Sequence, residues 1–451
     1  MAVSPARAAA FDILLRVEQQ DAYASELLHS DRLDKLSNAD RGLTTEIVMG
    51  VLRWRSRVDD AIGAQSSRPL AKLDSQVLTA LRIAAYQILY LSRVPARAAI
   101  NESVDLVKRA RKASAAPFAN AILRKLAQAK PDTIAAEPPG ATAATLAREL
   151  AHPEWLVERW VEHLGIENAA AVCRHDQRIP PTSIRMESAE VEAELHCAGI
   201  ELAPGALLTS ARIVTNGDVT QTRAYREGRV FIQDEASQLV AALVGTGSRL
   251  LDCCAAPGSK TAAIASRNPA AEIVAVELHP HRAELLRRRV RAANVQVITA
   301  DALELALQGN FDRVLADVPC SGTGTLARNP EIKWRLQSGH LNDLHEIQVA
   351  ILRAALRQLA PGGRAVYSTC SLEPEENQAV VEEVLQGDSN FSLLDCRVEL
   401  ERLRSDEVLA TDDLDSLLDG KYLRTIPGVH PCDGFFAALL ERKSLLLIAD
   451  C

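Results

Sequence analysis

In LDSQVLTALRIAAYQILYLS, residues 73–92, the apolar positions Val77, Leu81, Ala84, Ile88 and Leu91 recur at spacings of four and three. That period places them on one buried face of a helix, with Asp74 as its cap and Pro95 as its limit. The pattern returns in AAINESVDLVKRARK through Ile100, Val104 and Val107, and in PFANAILRKL through Phe118 and Ile122. Lys108, Arg109, Arg111, Lys112, Arg124 and Lys125 are left outside, so residues 1–130 are expected to form a helical bundle with one basic face. Residues 131–147, PDTIAAEPPGATAATLA, lose the period and predict a linker. Between 148 and 235 a helix, HPEWLVERWVEHLG, precedes the mixed pieces PPTSIRM, VEAELHCAGIEL and RVFIQDEAS, a small α+β module. From 236 to 445 short apolar runs alternate with helical stretches: RLLDCCAAPGSK, EIVAVE, VQVITAD, FDRVLADVP and RAVYSTC. Such alternation predicts a parallel sheet covered on both faces. Pro361-Gly362-Gly363 should turn into the last of these strands, FFAALLERKSLLLIAD should supply one or two closing strands, and the acidic ERLRSDEVLATDDLDSLLDG reads as a solvated insertion.

Charge changes the picture. The whole chain carries −8, yet residues 1–130 hold 20 Lys/Arg against 13 Asp/Glu, and residues 81–130 hold 10 against 2. A basic module on an acidic remainder is the footprint of a phosphate-gripping surface, although a charge run is often only a solvated face. The N-terminal apolar run is broken by Asp12, Arg16 and Glu18, so neither a signal peptide nor a membrane span is expected, and the protein should be cytoplasmic. Nine scattered cysteines, an odd count with no Cys-x-x-Cys, read as reduced thiols, and no metal site is expected.

In a doubly wound sheet, ligands bind beyond the carboxyl ends of the strands near the point where strand order reverses. The loop Cys254-Ala255-Ala256-Pro257-Gly258-Ser259-Lys260 follows the first strand. Its small residues and Gly258 would permit close approach of a ligand, but it has neither Gly-x-Gly-x-x-Gly nor the Gly-Lys-Ser/Thr of a P-loop. Glu277 ends the second strand, where an acid can accept both hydroxyls of a ribose, and Asp301 ends the third, where a carboxylate could take an adenine amino group. A nucleoside without a phosphate at its far end fits these loops, and S-adenosylmethionine is the common one. Cys320, in ADVPCSGTG, and Cys370, in YSTCS, each sit in a Gly/Ser/Thr-rich loop after a strand, unlike Cys173, Cys197, Cys396, Cys432 and Cys451, which read as packed thiols. His279 and His281 read as surface residues. Trp334, in NPEIKWR, could stack on RNA or pack under the Pro-Cys loop.

AAPGSK, DVPCSGTG and YSTCSLEPEEN, in this order, resemble the motifs of the RNA 5-methylcytosine methyltransferase family. The helical front end, with RVPARAAINESVDLVKRA and PFANAILRKL, resembles the NusB-like RNA-binding domain of bacterial members, and the likeness covers nearly the whole chain. The resemblance implies an α/β fold: a Rossmann-like, class I S-adenosylmethionine-dependent methyltransferase domain, preceded by an all-α NusB-like domain and a small RRM-like α+β module. It implies transfer of a methyl group to C5 of a cytosine in 16S rRNA by a protein without metal or membrane partners, here expected to be a monomer. Cytosine C5 is a poor nucleophile, so a thiolate adds to C6, C5 takes the methyl, and loss of the C5 proton expels the thiolate. The family assigns the attack to the Thr-Cys position, Cys370, and release of product to the Pro-Cys position, Cys320. Asp317 is expected to hold the N3/N4 edge of the base and to border the cofactor pocket. If it donates through a proton, it must first be protonated, which burial would favour. Lys260 and the sulfonium would supply the positive potential a thiolate needs, and Cys254 should touch cofactor through its backbone while its thiol packs. Ser259 stands where the family usually has Gly and Glu277 where Asp is common; both keep the type of contact. Rival readings are a DNA cytosine methyltransferase attacking through Cys320, the same chemistry on another RNA such as tRNA, and a non-catalytic ribosome assembly or antitermination factor.

Overall fold

The computed structural model describes residues 3–30, 33, 35–129, 142–186, 188–305, 307 and 309–444. Residues 131–141 of the expected linker, the end of the tail from 445, and Cys451 lie outside the described residues. The remainder of the expected linker is a helix, Ala143–Glu149, because Thr142 and Thr145 form a reciprocal capping box at its start. The chain divides into two compact units: residues up to Ile179 together with Leu326–Arg335, and Pro180–Thr325 together with the chain from Leu336 onward. No described helix is long and apolar enough to cross a membrane.

The first unit is helical. Asp74 caps the helix Ser75–Tyr90 by accepting a hydrogen bond from the Gln76 amide at 3.0 Å. Pro95 then caps Ala96–Arg109, which is followed by Ala116–Gln128. Val77, Leu81, Ala84, Ile100, Val107 and Ile122 are buried in one core. The basic face is partly neutralised: Lys108 pairs with Asp105, Arg109 with Asp12, and Lys112 with Asp74. Helix Glu154–Asp176 belongs to this unit.

Leu326–Arg335, the stretch that follows the Pro-Cys loop, also belongs to the helical unit. Trp334 donates its indole N–H to the Leu52 carbonyl at 2.6 Å, and the buried Lys333 donates to the Arg53 carbonyl at 3.0 Å. Arg335 donates to the Val17 carbonyl at 2.8 Å. Burial brings the Lys333 ammonium down to about 7. Trp334 is thus held against the helical unit, a packing different from the one expected under the Pro-Cys loop.

The second unit opens with an antiparallel sheet of β1 (Thr182–Met186), β2 (Glu201–Pro204), β3 (Ala211–Asn216) and β4 (Val230–Ile232), in the order β2-β3-β1-β4. Its larger sheet contains β5 (Arg249–Asp252), β6 (Glu272–Glu277), β7 (Val295–Thr299), β8 (Phe311–Asp317), β9 (Leu359–Thr369), β10 (Phe391–Leu394), β11 (Leu418–Asp419), β12 (Tyr422–Thr425) and β13 (Phe435–Arg442). Their order is β11-β12-β13-β9-β8-β5-β6-β7, with β10 also paired to β13. Strands β5 to β9 run parallel and β13 is antiparallel to β9. Successive residues face opposite sides: Leu250, Ile273, Leu315 and Val366 enter one core, while Leu251, Val274, Val314 and Ala365 enter the other. Double-sided burial is why β5, β6 and the second half of β8 read as apolar runs.

Two expectations need correction. The acidic stretch is packed, not a solvated insertion: it begins in the second half of the helix Cys396–Ser405, and its Leu403, Leu409, Leu414 and Leu417 are buried. Cys197, expected to be packed, is exposed, because it ends the helix Ala189–Cys197. Cys173, Cys396 and Cys432 are buried.

Candidate active site

Strand β5 lies between β6 and β8, so the chain winds away from it in both directions and opens a crevice at the strand tips. The loop 253–258 leaves β5 there and leads into the helix Ser259–Arg267. Gly258 has φ 107°, and a Cβ on it would lie 2.7 Å from Leu286 and 2.8 Å from Val290. The helix Pro280–Arg289 and the residue after it thus approach this position closely enough to require glycine. Cys254 is half-buried and its thiol is pushed up by burial and then by neighbouring carboxylates.

Asp252, the last residue of β5, is buried and accepts the Thr261 hydroxyl at 2.7 Å. Burial raises its carboxyl to about 7. Glu277 at the tip of β6 is buried, and its Oε1 accepts the His279 amide at 2.9 Å. Asp301, beyond β7, is exposed and caps a short turn by accepting from the Leu303 amide at 2.9 Å. His279 and His281 are exposed, with ring centroids 5.7 Å apart.

On the other side of β5 four of the expected residues converge. The Lys260 ammonium lies 2.8 Å from Asp317 Oδ2, and the Ser368 hydroxyl donates to Asp317 Oδ1 at 2.7 Å. Burial works against the Lys260 charge, but the Asp317 carboxylate more than offsets it and holds the amine above its ordinary value. Lys260 also sits 5.0 Å from the Phe435 ring centre.

Asp317 is paired with Ser368 across β8 and β9, so the loops carrying Cys320 and Cys370 leave adjacent strand ends. Their sulfurs are 3.2 Å apart, and the Cys370 amide points at Cys320 Sγ at 3.3 Å. Hydrogen bonding to Cys370, burial and the nearby Glu376 together push the Cys320 thiol well up. Gly324 lets the Pro-Cys loop pass closely, since a Cβ there would lie 2.2 Å from the Gly434 carbonyl oxygen.

Glu376, Ser368 and Phe435 escaped the sequence reading, which reaches Ser321 and Ser371 only as members of the two cysteine loops. Ser321, Ser371 and Glu376 form a buried hydrogen-bonded cluster beneath the two cysteines, and Ser368 and Phe435 border the Lys260–Asp317 pair. The Glu376-Asn377 pair inside YSTCSLEPEEN was the one available signal. Asn377 accepts from Thr369 Oγ1 at 2.5 Å and donates to the Ser371 carbonyl at 3.0 Å.

A Rossmann-like sheet with a NusB-type helical domain ahead of it defines a class, the S-adenosylmethionine-dependent RNA cytosine-C5 methyltransferases, and comparison with known proteins agrees. Residues 243–441 match the family 16S rRNA methyltransferase RsmB/F, residues 4–128 the NusB family, and residues 152–220 the ferredoxin-like domain of RsmF/B-like methyltransferases. The chain belongs to the RsmB/F family of RNA 5-methylcytosine methyltransferases. It is 32% identical to the probable ribosomal RNA small subunit methyltransferase B of Bacillus subtilis (strain 168), over 96% of this chain and 98% of that protein. It is 31% identical to ribosomal RNA small subunit methyltransferase B of Vibrio cholerae, over 97% of each. The crystal structure of PH0851 shares the fold at TM-score 0.80 and 24% identity, covering 98% of this chain and all of that one.

The donor set fits S-adenosylmethionine. Carboxylates stand at the tips of β6 and β7 for hydroxyl and amino donors, the loop after β5 is built from small residues, and its one cation, Lys260, is engaged by Asp317.

Proposed function

We propose that this enzyme methylates C5 of a cytosine in 16S rRNA, with Cys370 as the attacking thiolate and Cys320 as the group that releases the product. The observation that carries this reading is the pair of sulfurs 3.2 Å apart, beside a charged Lys260 and a carboxylate. Two thiols at that separation can both reach the C5–C6 edge of one pyrimidine. The names borne by the Bacillus subtilis and Vibrio cholerae relatives favour the small-subunit rRNA as substrate.

Residues 254–260, Glu277, Asp301 and the edge of Asp317 hold S-adenosylmethionine, which when bound supplies the electrophilic methyl. Cys370 adds to C6 and leaves C5 electron-rich; after C5 has been methylated, loss of the C5 proton drives the electrons that break the C6–S bond. Asp317, which accepts hydrogen bonds at both oxygens, faces the N3/N4 edge of the cytosine, and Lys260 supplies the positive potential. The target base is unpaired or extruded, because C6 inside a helix is out of reach. Residues 1–130 and 148–235 grip the RNA backbone, and residues 236–445 carry the chemistry.

The test is a pair of variants on rRNA with labelled cofactor. Cys370→Ala should abolish methyl transfer and form no adduct, whereas Cys320→Ala should accumulate a covalent protein–RNA species, a slow band on a denaturing gel. Equal adduct yields from both would refute the division of labour.

A further inference from the structure

Glu376 is a fully buried carboxylate in the unit that carries the cysteines. A buried carboxylate is costly unless its lone pairs are filled, and every side-chain donor that fills these comes from one place or is tied to it. Oε1 accepts the Ser321 amide at 2.7 Å and the Gln348 side-chain amide at 2.9 Å. Oε2 accepts the hydroxyls of Ser321 and Ser371. Those serines directly follow Cys320 and Cys370 in the chain. Gln348 donates with the same nitrogen to the Pro319 carbonyl at 2.9 Å, so the Pro-Cys loop is held on both sides of its cysteine. The Glu376 carbonyl in turn accepts the Tyr367 hydroxyl at 2.6 Å, tying this turn back to β9.

We propose that Glu376 is the positioning residue of the reaction: its carboxylate splints the Cys320 loop to the Cys370 loop and sets the separation and orientation of the two sulfurs. This rests on the reading that both cysteines serve one base. A carboxylate needed only for folding could draw its donors from anywhere in the surrounding core. Here they belong to the residue after each cysteine and to Gln348, which itself holds the residue before Cys320. The Cys320 thiol beside this splint is pushed well up, by its hydrogen bond to Cys370, by burial and then by the neighbouring Cys370 and Glu376.

The experiment uses the full chain with Glu376→Gln, which keeps the shape and two acceptor bonds, and Glu376→Ala, which removes the splint. Two readouts are taken beside thermal melting: kcat and KM for S-adenosylmethionine on rRNA, and the rate at which dibromobimane bridges Cys320 to Cys370, with Cys320→Ser as the blank. Loss of alignment by a fraction of an ångström should lower kcat about tenfold for Gln and about a hundredfold for Ala, with KM for the cofactor within about twofold. Bridging should slow in the same order. A kcat and a bridging rate equal to wild type in the folded variants would overturn the assignment, as would a kcat that falls only in proportion to folded protein. Unchanged Glu376 variants beside an inactive Cys370→Ala would sink this inference alone, whereas a fully active Cys370→Ala would sink the two-cysteine reading with it.

Discussion

The second unit contains two pairs of cysteines, one adjacent in the chain and one brought together only by the fold. Cys253 and Cys254 are neighbours in the chain; Cys253 is buried with Leu251 and Val274, and Cys254 is half-buried at the mouth of the loop. Burial pushes both thiols up, helped at Cys253 by the Cys254 thiol and Asp252 and at Cys254 by Asp252, Asp317 and Glu277. Cys320 and Cys370 lie fifty residues apart in the chain, yet their sulfurs are 3.2 Å apart. Lys260 lies on their side of the sheet. Sequence distance is thus a poor guide to chemical proximity here: a parallel ladder brings strand ends together whatever the length of the crossover between them. A thiol becomes a reagent through its neighbouring charges as much as through its exposure.

Removing the cation should break the contrast most severely. In Lys260→Met the ammonium is lost, and Asp317 is left beside the sulfurs with only Ser368 as a partner. Methyl transfer should fall about a hundredfold, comparable to losing one preorganised electrostatic contact. Initial rates of transfer with labelled cofactor would show it. A rate within about twofold of wild type would make the distant pair no different in kind from the adjacent one. The converse change sharpens the comparison: Cys253→Ser puts a hydroxyl in an apolar core and should cost about 1–3 kcal/mol. For a domain of this size that is roughly 2–4 °C of Tm per kcal/mol, with kcat on the folded protein unchanged. A large loss of kcat without loss of stability would show that the adjacent pair takes part in the chemistry.

Local pattern was enough for some of this and silent on the rest. The inner parallel strands were legible because burial on both faces leaves short apolar runs, Leu250-Leu251 in β5, Ile273–Val276 in β6 and Val314–Ala316 in β8, and Asp74 because a cap acts within its own turn. The partnership of Cys320 with Cys370 depends on β8 lying beside β9, which neither loop encodes; the ordered motifs of a known family supplied it. Strands β2 and β3 passed unnoticed because their residues are mostly half-buried and give no clean alternation. The acidic stretch misled because charge density hid a sparse leucine series, Leu403, Leu409, Leu414 and Leu417, that is buried. Nothing local marks Leu326–Arg335 as part of the helical unit, and a lysine such as Lys333 is read as solvent-facing until tertiary structure buries it.

The smallest expected effect concerns the residue just before the adjacent pair. Asp252 is buried at the end of β5, and its carboxyl is raised from an ordinary value of 3.8 to about 7. The sign follows from proton binding: between those values the native state holds a proton that the unfolded chain has released. Whatever stability this group contributes is therefore complete below about 4 and is lost as pH rises through about 7. Asp252→Asn keeps an acceptor for the Thr261 hydroxyl and carries no charge at any pH, so it should escape that loss. Its Tm should exceed that of the wild type by an amount that grows between pH 5 and pH 7.5, reaching roughly 2 °C or more at the upper end. A constant gap would mean that Asp252 does not titrate in this window. A gap that narrowed with rising pH would mean that the ionised carboxylate is stabilised in the fold, and that the acidic surroundings of Cys253 and Cys254 are less hostile to negative charge than their burial implies.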